Sequence, residues 1–222
     1  MKNLFFNAAV LFGGLLPLVA GAEMSFDFYR ANDQLWPNRQ LVTQPWNGGD
    51  FTMEAEFEFP ESGTPGFFPQ NAVFGLYAGD ATGRTVYRCG VVNPGAAPAP
   101  RNVLCVLQGP GAKSEQLRWD ASRKRLFLKA ELREGKLASF ISPDGREFRR
   151  TGEAAVPERF QPKEIGFYFE IVGGLESKME RFRIHRFTVT GDGPAQSDLF
   201  DGAKRVPWKF SAGNLTWDYP AP

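Results

Sequence analysis

Glu54, Glu56 and Glu58 are the residues of this chain best placed to do chemistry. They alternate with Phe51, Met53, Ala55, Phe57 and Phe59, so a period-two strand puts the three carboxylates on one face and the apolar side chains on the other. Residues two apart on a strand lie ~6.6 Å from Cα to Cα, and residues four apart ~13 Å. Two carboxyl groups that cleave a glycosidic bond stand about 5 to 5.5 Å apart for retention and about 6.5 to 9.5 Å for inversion. The triplet meets that spacing only when its side chains lean toward one another. The plain alternative is a polar outer face that contacts a ligand, or only solvent, without breaking a bond.

Other chemistries lack their residues. His185 is the single histidine, so a Ser-His-Asp or Cys-His mechanism would have to pass through it. It sits between Ile184 and Arg186, where a structural or surface place is expected. No Gly-rich stretch is followed by Lys-Ser/Thr in a strand-to-helix setting, which excludes a phosphate loop. Cys89 and Cys105 lack Cys-x-x-Cys spacing, and two Cys with one His make no zinc centre.

The elements that must position these residues are strands. Leu126 to Leu132 and Leu137 to Ser142 flank the tight turn Arg133-Glu134-Gly135-Lys136, and the second run closes in Ser142-Pro143-Asp144-Gly145. Val73 to Ala78, Val86 to Val92 and Val103 to Leu107 read as strands, and Leu117 to Trp119 as a strand or turn. Ile165, Phe167, Phe169 and Ile171 alternate with Gly166, Tyr168 and Glu170. In Arg181 to Thr190, Phe182 and Ile184 change parity with Phe187 and Val189, which predicts a β-bulge between Ile184 and Phe187. Gly and Pro leave no room for long helices. The expected fold is an all-β, two-sheet antiparallel sandwich that buries Phe51, Met53, Phe57, Leu126, Leu128, Phe167, Phe169 and Phe187 between its sheets.

In order along the chain, Gly49-Asp50-Phe51-Thr52, Gly75-Leu76-Tyr77, Ser142-Pro143-Asp144-Gly145, Ile165-Gly166-Phe167-Tyr168 and Phe187-Thr-Val-Thr-Gly191 carry a family resemblance. Over roughly Phe26 to Gly191 the chain resembles the concanavalin A-like (laminin G, lectin and glucanase-type) jelly rolls. That resemblance implies an extracellular carbohydrate-recognition module or a glycan-active enzyme. Glu54-Ala55-Glu56-Phe57-Glu58 is similar to the Glu-x-Asp-x-Glu strand of jelly-roll β-glucanases, whose carboxylates supply nucleophile and acid/base. The middle acid here is Glu rather than Asp. Structural calcium also follows from the resemblance. Asp27, Asp80 and Asp192 lie in or near turns, but no Asp-x-Asp-x-Asp loop is present. No other cofactor is expected.

The amino terminus reads as a secretory signal peptide over residues 1–22. Lys2 precedes the apolar run Leu4 to Val19, and Ala20-Gly21-Ala22 offers a small-residue cleavage site. The run falls short of the ~20 apolar residues that span a bilayer and is broken by Gly13, Gly14 and Pro17, so no membrane insertion is expected. The sandwich is assigned to 23–191 and an aromatic extension that packs on it to 192–222. Without Lys2, the 26 basic residues become 25 against 25 acidic ones, and no basic stripe suggests a nucleic-acid partner.

A secreted or periplasmic setting makes a disulfide the default for Cys89 and Cys105. If the hairpin around the loop Asn93 to Asn102 pairs symmetrically, Val91 faces Val103 and Cys89 faces Cys105. The bond would close a loop of about 17 residues, worth about 3 kcal/mol in the chain-entropy picture. Asn214-Leu215-Thr216 is a glycosylation sequon.

For a glycan, the aromatic candidates are Trp36, Trp46, Trp119, Tyr77, Tyr87 and Tyr168, all equally at home in a core. Tyr168 and Glu170 point away from the apolar side of their strand, which in a jelly roll is expected beside the Glu54 strand. Glu54, Glu56, Tyr168 and Glu170 would then line one shallow groove, with Tyr77 or Arg88 at its rim. The expected function is secreted, non-catalytic binding of a polysaccharide or glycan. The alternatives are a glycan-cleaving enzyme using Glu54, Glu56 and Glu58, and an adhesive module that binds protein through the aromatic tail.

Overall fold

The computed structural model describes residues 24–28, 38–58, 72–92, 104–115, 117–119, 123, 125–171, 180–200, 206–210 and 216–218. The signal-peptide reading, Trp36, Val103 and Asn214 lie outside them. The described chain is all-β. In order, the strands are β1 (Met24–Phe28), β2 (Asn38–Pro45), β3 (Phe51–Glu58), β4 (Ala72–Gly79), β5 (Val86–Val92), β6 (Leu104–Gln108), β7 (Ala112–Ser114) and β8 (Arg125–Arg133). There follow β9 (Lys136–Ser142), β10 (Arg149–Ala155), β11 (Glu164–Ile171), β12 (Glu180–Gly191), β13 (Gln196–Asp198), β14 (Lys209–Phe210) and β15 (Thr216–Asp218). One sheet, A, has the order β15-β1-β12-β3-β8-β9-β10-β7, with β13 beside β12. The other, B, has the order β14-β2-β11-β4-β5-β6.

Alternation in the sequence becomes burial between the sheets. Phe51, Met53, Ala55 and Phe57 of β3 turn inward, as do Leu126 and Leu128 of β8, Phe167 and Phe169 of β11, and Phe187 of β12. The expected core is the observed one. Its centre is aromatic: Phe167 meets Phe57, Phe187 and Trp208 at ring-centroid distances of 5.7, 5.1 and 5.2 Å. Trp208 also donates its indole N–H to Asp198 Oδ2 at 2.8 Å, so the segment after β13 is tied into the sandwich by both packing and a polar bond.

Three local features fix the register. In the β8–β9 turn, Glu134 and Gly135 both have positive φ, 48° and 73°, as a type I′ hairpin requires. Asp50 Oδ2 accepts the Glu134 N–H at 3.0 Å and holds that strained residue in place. In β12 the register against β3 shifts between Ile184 and Arg186, which is the predicted bulge. In the β4–β5 turn, Asp80 Oδ1 accepts from the Thr82 N–H, the Thr82 hydroxyl and the Arg84 N–H, and Oδ2 from the Thr85 N–H.

Desolvation raises the Asp80 carboxyl, but the hydrogen bonds from Thr82 and Thr85 outweigh it and bring it from 3.8 down to about 2. A carboxyl depressed on folding stabilises the fold above its unfolded value, and that contribution fades as pH falls through the folded value. Acid unfolding of an Asp80→Asn variant is therefore expected to show a smaller loss of Tm between pH 4 and pH 2 than the natural chain. Equal losses would show that the turn does not draw on the charge.

The disulfide expectation is corrected. Both Cys89 and Cys105 are free thiols, buried on the inner face of sheet B. Cys89 stands opposite Leu107, and Cys105 opposite Val91. The hairpin is thus offset by two residues from the symmetric pairing, and the two cysteines become diagonal neighbours. Diagonal Cα atoms lie about 7–8 Å apart across a pair of strands, beyond the range of about 4.4–6.8 Å that a disulfide spans.

Candidate functional site

β3 lies between β12 and β8, so its outward carboxylates stand in a grid of cross-strand partners. One row runs Thr188, Glu54, Lys129, Phe140; the next runs Arg186, Glu56, Phe127, Ser142; a third runs Arg183, Glu58, Arg125. Each row crosses the outer face of sheet A.

The three acids differ in their engagement. Glu58 is held from two sides, by Arg183 at 3.2 Å and by His185 Nε2 at 2.7 Å. Glu56 is paired with Arg125 at 2.7 Å. Glu54 has no ion-pair partner among the described residues, although it stands opposite Lys129. The Lys129 ammonium is drawn instead to Glu131 at 2.9 Å and over the rings of Phe140 and Phe148, 4.5 and 4.9 Å from their centroids. The result is a face with one uncommitted carboxylate flanked by a threonine hydroxyl and a cation set on aromatic rings.

Sequence reasoning placed His185 as a bystander, yet it touches the site. The signal was the parity change in β12: a bulge leaves two consecutive residues, His185 and Arg186, on the outer side between inward Ile184 and Phe187. Arg125 and Arg183 were not singled out, because which strands flank β3 was not legible.

The shared groove is corrected. Tyr168 and Glu170 belong to β11, which pairs with β2 and β4 in sheet B. Tyr77 of β4 and Arg88 of β5 lie on that same outer face, on the opposite side of the sandwich from Glu54 and Glu56. There Arg88 bonds Glu170 at 2.9 Å and stands over the Tyr168 ring at 5.5 Å. Tyr168 is 1% exposed and Tyr77 3%, packed with Val73 and half-buried Leu41, Val86 and Val92. Neither ring offers an open face for a sugar. Burial pushes the Tyr168 hydroxyl well above the usual phenol range. Trp46, Tyr87 and Trp119 are likewise core residues.

The calcium that the resemblance implies meets no cluster of acidic side chains among the described residues. Among the described residues no three of His, Cys, Asp and Glu converge on a metal position. Both Asp80 oxygens serve its own turn, Asp192 Oδ2 accepts the Asp50 N–H at 2.9 Å, and the Asp27 side chain lies outside the described residues.

No protein-family model matches this chain, and no curated protein matches its sequence. Solved structures do match. A native glycosidic hydrolase aligns with a TM-score of 0.50 at 12% identity, covering 78% of this chain and 80% of that one. The fold is a two-sheet antiparallel jelly-roll sandwich. A seed lectin from Lotus tetragonolobus aligns with a TM-score of 0.43 at 10% identity, over 78% of this chain and 99% of that one. The GH43 BlXynB protein from Bacillus licheniformis aligns with a TM-score of 0.43 at 15% identity, over 68% of this chain but 32% of its own. The present chain thus spans about a third of that protein's length.

Proposed function

We propose that this jelly roll is an exported, non-catalytic glycan-binding module whose binding face is the outer surface of sheet A around Glu54. The observation that carries the reading is the unequal engagement of the three acids. Hydrolysis by a carboxylate pair needs both groups free to reach the anomeric centre and the departing oxygen or a water. Glu56 and Glu58 are already bonded by Arg125, Arg183 and His185, which leaves one carboxylate of the triplet without a partner among the described residues. A lone uncommitted carboxylate suits acceptance of hydrogen bonds from sugar hydroxyls. Thr188 and Lys129 beside it add a hydroxyl and a donor, and Phe140 and Phe148 add apolar surface at the end of the row. The adhesive-tail reading is weakened because Trp208 packs against Phe167, Phe187 and Phe200 rather than facing a partner.

The test is affinity electrophoresis through gels holding single polysaccharides. A hydrogen bond to a charged group contributes about 1.5–3 kcal/mol, so Glu54→Ala is expected to weaken retention about tenfold or more. Tyr168→Ala, by contrast, is expected to lower Tm and leave the retention of the folded protein unchanged. Undiminished retention of Glu54→Ala would remove sheet A as the binding face.

A further inference from the structure

A second site lies at one end of sheet B, away from the carboxylate face. The β4–β5 turn and the segment before β11 enclose an open cleft of about 390 Å³, within the size range of small-ligand sites. Its lining includes Arg84, Arg159, Lys163, Thr82, Gln161 and Asp80.

The segment from 159 to 163 alternates in burial as it runs into β11. Phe160 and Pro162 are buried, while Arg159, Gln161 and Lys163 point outward. Phe160 packs edge-on against Tyr87 at 5.0 Å, the Lys163 N–H donates to the Gly79 carbonyl at 2.8 Å, and the Trp46 N–H donates to the Lys163 carbonyl at 2.9 Å. The backbone that presents the three polar side chains is therefore anchored from beneath and on both sides.

The charge of the cleft is unbalanced. Arg84, Arg159 and Lys163 have no ion-pair partner among the described residues, and all three are exposed. Asp80 is the one carboxylate in the lining, and its oxygens already accept four hydrogen bonds from Thr82, Arg84 and Thr85. A chain with nearly equal acid and base thus concentrates three cations around one depression. Cations grouped in a concave site repel one another and attract an anion. Arg offers a planar fork suited to carboxylate or sulfate oxygens, and Lys a point charge.

We infer that this cleft binds the anionic substituent of an acidic glycan, a uronate carboxylate or a sulfate ester, with Arg84, Arg159 and Lys163 on the charge and Thr82 and Gln161 on neighbouring hydroxyls. The inference rests on the glycan-binding reading and narrows it to acidic polysaccharides.

Dextran, dextran sulfate and polygalacturonate separate the two. The full chain freed of residues 1–22 is run through gels of each, beside Arg159→Ala/Lys163→Ala and a control of equal charge change, Lys113→Ala/Arg118→Ala, made at exposed residues outside both sites. Retention by dextran sulfate or polygalacturonate is expected to exceed that by dextran, to fall with added salt, and to drop about tenfold in the Arg159/Lys163 variant while the control drops less than about twofold. Equal losses in the two variants would reduce the effect to overall charge and overturn the inference. Retention on dextran that the Arg159/Lys163 variant keeps, with no preference for the charged polymers, would overturn it and leave the glycan-binding reading standing. Binding of inorganic sulfate that needs Arg159 and Lys163, without retention on any polysaccharide, would make the cleft a simple anion site and overturn both.

Discussion

Replacing Phe167 by alanine is expected to cost about 3–5 kcal/mol of folding free energy, the usual range for losing a buried aromatic ring. Phe167 is fully buried in the middle of β11, which is itself central in sheet B. Its ring is the hub that joins the two layers: Phe57 and Phe187 come from sheet A, and Trp208 enters from the segment after β13. Truncation removes apolar contact with all three at once, and flat rings held by strand backbones cannot collapse into the void. For a domain of this size each kcal/mol moves Tm by about 2–4 °C, so a drop of roughly 6–20 °C is expected by circular dichroism or scanning calorimetry. Leu199→Ala is the control, since Leu199 is 52% exposed and its loss should change stability by under about 0.5 kcal/mol. Similar small shifts for both variants would mean that the aromatic hub is not where the two sheets are joined.

The second large effect concerns the thiols. Cys89 and Cys105 are buried, and burial pushes each thiol up to about 12. Alkylation proceeds through the thiolate, and an ordinary cysteine titrates near 8.5. At pH 8 the thiolate fraction of these two is therefore about a thousandfold below that of an ordinary cysteine, before any steric exclusion. Mass spectrometry after iodoacetamide treatment is expected to find no adduct on the native protein and two on the unfolded protein, without prior reduction. A chain two mass units lighter that takes up iodoacetamide only after reduction would reinstate the Cys89–Cys105 bond and contradict the observed register.

Both outcomes bear on what the sequence revealed. Period-two alternation identified which residues of β3, β8 and β11 face inward, because burial of Phe51, Phe57, Leu126 and Phe167 is dictated by the strand itself. The bulge in β12 was legible for the same reason. Alternation says nothing, however, about which sheet a strand joins. Tyr168 and Glu54 both point away from the core, yet they end on opposite sides of the sandwich because β11 pairs with β2 and β4 and not with β3. The cysteine pairing failed through register. A loop spanning Asn93 to Asn102 does not fix pairing as a two-residue turn does, and a slip of two keeps both thiols inward while separating them. The strands β7 and β13 to β15 are too short, and β10 with Arg149, Arg150, Gly152 and Glu153 too polar, to be recognised locally. The end cleft joins residues about 80 positions apart, so no local pattern brings Arg84 to Lys163.

The central claim is glycan binding without cleavage, and one measurement on protein carrying no substitution tests it directly. Purified protein without residues 1–22 is incubated with a panel of neutral and acidic polysaccharides, and retention and newly formed reducing ends are read from the same samples. The account predicts retention on at least one polysaccharide with reducing ends at the level of the protein-free blank. Release of reducing ends that disappears in Glu54→Gln or Glu58→Gln, while those variants still bind, would contradict it and make the β3 carboxylates catalytic.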